Sequence, residues 1–167
     1  MGCESDNTAS KEYYRKVYNR CEPVRASELL LVKNIHEYLD ALMDEDGYHD
    51  GQLLNEIRDS NVVILQMIET AIPAVENLAQ PENETDLKES ALKLLTYQQE
   101  FHSAGVTEII GIVLDGHLAD DEKETGQAFL MKLDNVQQVF ATHVDKRKSF
   151  CEDAGIDEDE MKALEGK

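Results

Sequence analysis

Residues 50–79 read DGQLLNEIRDSNVVILQMIETAIPAVENLA. Leu54, Ile57, Asn61, Ile64, Ile68, Ile72, Val75 and Leu78 recur there every three or four residues, the spacing of one face of an α-helix. Asn61 is the polar exception on that stripe. A strand would alternate at every second residue, and nothing in the chain competes in that way. Pro73 lies inside the pattern, lacks an N–H and crowds the preceding turn, so it predicts a kink.

The same period extends on both sides. Upstream, a first helix is predicted from about Ser10 to Met43, carried by Tyr14, Val17, Cys21, Val24, Leu31, Ile35, Leu39 and Leu42. One turn is skipped near Glu28, and Pro23 should kink or split the helix. Asp44-Glu45-Asp46-Gly47 stops it. Downstream, Gln80-Pro81-Glu82-Asn83 closes the second helix, and Asn83 or Thr85 can cap a third from about Asp86 to Leu114. That helix shows Leu87, Ala91, Leu94, Phe101, Ile109, Ile112 and Val113, but Gln98 and Gly105 stand where apolar residues are expected. Gly105 suits close packing or a local bend. A fourth helix, about Asp121 to Asp153, carries Phe129, Leu133, Val136, Phe140, Val144 and Cys151 and ends at Ala154-Gly155.

Four amphipathic helices of about 30 residues hide their stripes most simply in an elongated, up-down-up-down four-helix bundle, each helix about 45 Å long. The expected fold class is therefore all-α, with kinked first and second helices. Residues 1–9 form a flexible N-terminal tether, 10–155 the bundle, and 156–167 an acidic tail able to form one short, frayed helix.

With 35 acidic against 16 basic residues the formal charge is -19, which argues against nucleic acid and against an electrostatic hold on anionic lipid. No apolar run reaches the roughly 20 residues that span a bilayer, so a membrane link would have to be covalent. Met1-Gly2-Cys3 followed by Glu4-Ser5-Asp6-Asn7-Thr8-Ala9-Ser10 offers one. It looks like the mature start of a bacterial lipoprotein, with Cys3 carrying the lipid. Myristate on Gly2 with palmitate on Cys3 is a competing reading, but that pattern asks for Ser or Thr where this chain has Asp6. An incidental cysteine in a polar tail is the third.

Tyr18-Asn19, the turn before the third helix, Leu94-Leu95-Thr96-Tyr97 followed by Phe101, and Phe140 through Phe150 into Ala154-Gly155-Ile156 resemble a family of helical surface lipoproteins of Bacteroidetes and spirochaetes. The likeness covers most of the chain by layout and rests on helical patterning. No activity or site residue follows from it.

Sites for chemistry were sought by spacing. A ferritin-like di-metal bundle needs Glu-x-x-His, yet the residues three before His36, His49, His102, His117 and His143 are Lys33, Asp46, Gln99, Leu114 and Phe140. The histidines are therefore expected at the surface or in loops, with no metal and no cofactor. The acidic loop from Asp44 to Gly51 fails both registers of an EF-hand. No nucleophile elbow or phosphate-binding Gly-rich loop occurs, so an enzyme is not expected. Asn83-Glu84-Thr85 is a formal glycosylation sequon. Tyr13, Tyr14 and Tyr18 are expected at the flared end of the core rather than as an exposed patch.

The expected function is a lipid-anchored, non-enzymatic binding or structural protein of the bacterial cell envelope, at the outer membrane or cell surface, with a protein partner of unknown identity. The alternative is a soluble helical sensor whose small-molecule pocket is lined by Asn61 and Gln98. Cys21 and Cys151 form a candidate disulfide. Their heights differ by about six residues, roughly 9 Å, more than the about 4.4–6.8 Å between Cα atoms that a bridge allows. Two buried free thiols are therefore preferred.

Overall fold

The computed structural model describes residues 7–43, 51–82, 84, 86–115 and 120–166, with side chains left undescribed at 39–43, 112–115 and 120–126. Every regular element among them is helical. α1 spans Thr8–Met43, α2 Gly51–Glu76, α3 Asp86–Glu100, a π turn Phe101–Val106, α4 Thr107–Asp115, α5 Asp120–Asp153 and α6 Glu158–Leu164. No strand occurs among the described residues. Cys3, the Asp44–Gly51 loop up to residue 50, and the capping candidates Asn83 and Thr85 lie outside them.

α1 runs through Pro23 without a break. It buries Tyr13, Tyr14, Val17, Tyr18, Cys21, Val24, Leu31, Ile35 and Tyr38. The tyrosines therefore belong to the core, and the turn skipped by apolar residues is filled by Glu28, itself fully buried. α2 buries Ile57, Asn61, Ile64, Ile68, Ala71 and Val75. Its end comes at Glu76, one turn beyond Pro73, where the Asn77 side chain donates to the Pro73 carbonyl at 2.7 Å. In place of the masked capping candidates, the Glu84 carboxylate accepts the Leu87 N–H at 2.6 Å and so closes the first turn of α3.

α1 packs on α2, α2 on α3, and α3 on α5. α1 and α5 meet through long side chains. Tyr13 and Phe150 have ring centroids 5.7 Å apart, and the Arg25 guanidinium lies 4.6 Å from the Phe140 ring centroid. Each large apolar side chain fully buried in this interior contributes roughly 1.5–3 kcal/mol over leaving it in water.

α5 ends in a Schellman turn. Gly155 has φ 67°, Ile156 N–H donates to the Cys151 carbonyl at 2.8 Å, and Gly155 N–H donates to that of Glu152 at 3.1 Å. The buried Ile156 then turns the chain back. α6 opens with a capping box in which Asp157 accepts from Glu160 N–H at 2.8 Å. The tail is thus a capped helix laid on the core through Met161 and Leu164, not a frayed one. Lys11 holds Glu160 at 2.6 Å, so α6 is tied to the start of α1.

Candidate functional site

The third helical segment decides what the interior contains. In a continuous α-helix the stripe Leu87, Ala91, Leu94, Gln98 and Phe101 would carry on through Gly105. The π turn at Phe101–Val106 holds one residue more than an α turn, which moves the inward face on by one position. Phe101 and His102 both turn inward, followed by Gly105 and Val106, then Ile109 and Ile110. A Cβ on Gly105 would stand 3.3 Å from Lys132 Cδ and 3.5 Å from Phe101 Cδ2, so this position lets α5 approach closely.

Polar groups from four segments meet at that level. Glu28, Gln98 and His102 are each 0% exposed, Asn61 and Arg25 each 4%. Arg25 Nη1 pairs with Glu28 Oε1 and Nη2 donates to Gln137 Oε1 on α5 at 2.5 Å. Glu28 Oε2 faces His102 Nε2 at 3.4 Å. Asn61 Nδ2 donates to the His102 carbonyl at 3.2 Å, and Asn61 Oδ1 meets His102 Nδ1 at 2.8 Å. Thr107 Oγ1 donates to the same carbonyl at 3.1 Å. Gln98 keeps both amide atoms without a protein partner, as do Arg25 Nε, Glu28 Oε2 and His102 Nε2. Such a set of buried polar atoms is costly unless something satisfies it, which marks this centre rather than the surface.

A second buried histidine lies nearer the α6 end. His143 Nδ1 is 2.9 Å from Ser90 Oγ, whose own hydroxyl donates to the Leu87 carbonyl at 2.9 Å. Ser90 therefore accepts, and Nδ1 carries the hydrogen. Burial, then the nearby Arg147 charge, pull the His143 pKa down to about 4. The expectation of surface or loop histidines is thus corrected for His102 and His143. The π turn carries the first inward, and the second occupies the α5 stripe one turn before Arg147. His36 is exposed, while His49 and His117 lie outside the described residues.

At the far end Arg147 pairs with Glu165, donates to Tyr14 Oη at 3.2 Å, and lies 4.7 Å from the Tyr18 ring centroid. Burial opposes its charge, but the Tyr14 hydrogen bond and the Glu165 carboxylate outweigh it, so its pKa is raised. Cys21 and Cys151 flank this group as free, buried thiols. Burial pushes Cys21 up to about 12 and Cys151 up to about 11. Neither is a poised nucleophile.

Four cavities were compared with these clusters. A half-open cleft of about 540 Å³ lies at the α6 end among Ser10, Glu84, Lys146 and Phe150. A groove of about 370 Å³ runs between α1 and α2 beside Pro23 and Met67. One of about 310 Å³ lies along Phe140 and Arg147, and a void of about 10 Å³ lies under Tyr38. Neither Asn61 nor Gln98 lines any of these four. Among the described residues no three His, Cys, Asp or Glu converge as a metal set, and no helix is long and apolar enough to cross a membrane.

Sequence reasoning found Asn61 and Gln98 as polar core positions and missed Arg25, Glu28, His102 and His143. Two signals were present: a carboxylate at the skipped turn of α1, and a stripe that loses phase between Gln98 and Gly105. No protein-family model, no curated protein and no solved structure matches this chain.

Proposed function

We propose that this chain is a lipid-anchored, non-enzymatic binding or structural protein of the bacterial cell envelope, resembling the helical surface lipoproteins. Its body is an up-down-up-down four-helix bundle in which α3, the π turn and α4 act as one rod, kinked in its first two helices at Pro23 and Pro73. The order of packing, α1 on α2, α2 on α3 and α3 on α5, supports that topology.

The observation that carries the anchor is the seat of Asn7. Its side chain donates to the carbonyls of Ala154 and Gly155 at 3.5 and 3.3 Å, which ties the chain to the α6 pole of the body. A lipid on Cys3 would lie four residues earlier, within about 14 Å at full extension. Such an anchor sets that pole toward the bilayer and the other away from it. Radiolabelled palmitate should enter the full-length precursor and be lost with Cys3→Ser. Uptake unaffected by that change removes the anchor.

A second reading, a soluble helical sensor or small-molecule-binding bundle, is favoured by Gln98, whose two amide atoms lack protein partners in the interior. A melting shift with a small polar ligand that disappears in Gln98→Leu would support it.

A further inference from the structure

The geometry points to a buried proton-binding site: Glu28 on α1 and His102 in the π turn share one proton between Glu28 Oε2 and His102 Nε2. The inference is independent of any anchor.

The argument starts at Asn61. One end of its side chain faces the His102 carbonyl at 3.2 Å and Thr107 Oγ1 at 3.5 Å. A carbonyl only accepts, so that end is the amide nitrogen, and the other end is Oδ1, 2.8 Å from His102 Nδ1. Oδ1 also only accepts, so Nδ1 must carry a hydrogen. In a neutral imidazole of that tautomer Nε2 bears a lone pair. It faces Glu28 Oε2 across 3.4 Å, too short for a water to stand between them. Glu28 Oε1 is already held by Arg25. Without a proton, two acceptors would confront each other where both residues are 0% exposed.

One proton removes the conflict in either position. On His102 it makes an imidazolium against a carboxylate. On Glu28 it makes a carboxylic acid donating to Nε2. The charged groups at the centre are then Arg25, Glu28 and the proton itself. The other polar side chains that meet it are neutral: Asn61 from α2, Gln98 from α3 and Gln137 from α5. Lys132 lies beside Gly105, one turn further along. The proton joins α1 to the π turn across the core. Its loss would set two lone pairs against each other and drive those segments apart, which makes the centre sensitive to pH.

The test is NMR on the folded full chain, reading the imidazole ¹⁵N shifts of His102 and the carboxyl ¹³C shift of Glu28 through a pH titration. The expected result at neutral pH is a protonated imidazole beside ionised Glu28, or an Nδ1–H imidazole beside protonated Glu28. Both residues should report one common step on raising the pH. Glu28→Gln supplies an N–H to Nε2 without a titrating proton, so the common step should vanish. Ionised Glu28 beside a neutral imidazole at neutral pH, in either tautomer, overturns the proposal on the wild-type protein alone.

Discussion

Tyr14 donates its phenolic hydroxyl to Glu165 Oε1 at 2.5 Å, across 151 residues of chain. The same carboxylate pairs with Arg147, so α1, α5 and the end of α6 share one buried knot. Removing Glu165 would leave the Arg147 charge largely buried and short of its main partner. Glu165→Ala should therefore destabilise the fold by about 3 kcal/mol, read as a lower urea midpoint. Lys162→Ala on the same short helix touches only an exposed pair with Glu158 and should cost at most about 0.5 kcal/mol.

His143 gives stability a pH dependence of known sign. Its folded pKa is about 4, below the model value of 6.5, because burial and then Arg147 disfavour the charged form. Between those two values the unfolded chain binds more protons, so stability is complete above about 6.5 and falls as pH drops toward 4. The loss at the acid end should approach about 3 kcal/mol. His143→Gln should remove this slope, and a pH series of chemical melts on both proteins would measure the difference.

Charge crowding acts in the other direction. The formal charge of -19 implies self-repulsion that salt screens. Moderate salt at neutral pH should raise the melting temperature, whereas mild acid sets relief of repulsion against the penalty at His143. A melting temperature flat across salt concentration would mean that the carboxylates are too well solvated to matter.

The two described cysteines should be inert while the protein is folded. Burial raises both thiol pKa values, so thiolate is scarce at neutral pH. A thiol reagent should react slowly with native protein and quickly with both in urea under non-reducing conditions. Fewer than two reactive thiols besides Cys3 in the denatured chain would reveal a bridge.

Gly105 is a test of space. An added methyl meets Lys132 Cδ at 3.3 Å, the far part of a flexible side chain, and Phe101 at ordinary contact distance. Lys132 can swing aside, so Gly105→Ala should be neutral to stabilising by up to about 1 kcal/mol. A branched residue there should destabilise, and thermal melts would separate the two cases.

The all-helical fold was legible because it rests on period alone, and α2 shows why. Its stripe was complete in sequence, with Asn61 placed correctly among its apolar neighbours. The polar centre was hard to read for the opposite reason. His102 faces inward only because of an extra residue in the π turn, and a pattern of threes and fours assumes no such residue. Glu28 looked like a gap in the apolar pattern, although its partners Arg25 and His102 make it a core residue. The α6 tail was misjudged because its anchor, Glu165, bonds to residues 18 and 151 positions away.

The π turn also has a genetic consequence. Deleting one codon, such as that of exposed Ser103, would restore an unbroken α-helix and rotate all that follows by about 100° relative to what precedes it. His102 and the Ile109–Ile110 face could then not both point inward. A single in-frame deletion would thus separate the histidine from its carboxylate without altering either residue. Variation in length, more than substitution, is the mutational route by which chains of this kind would gain or lose their polar heart.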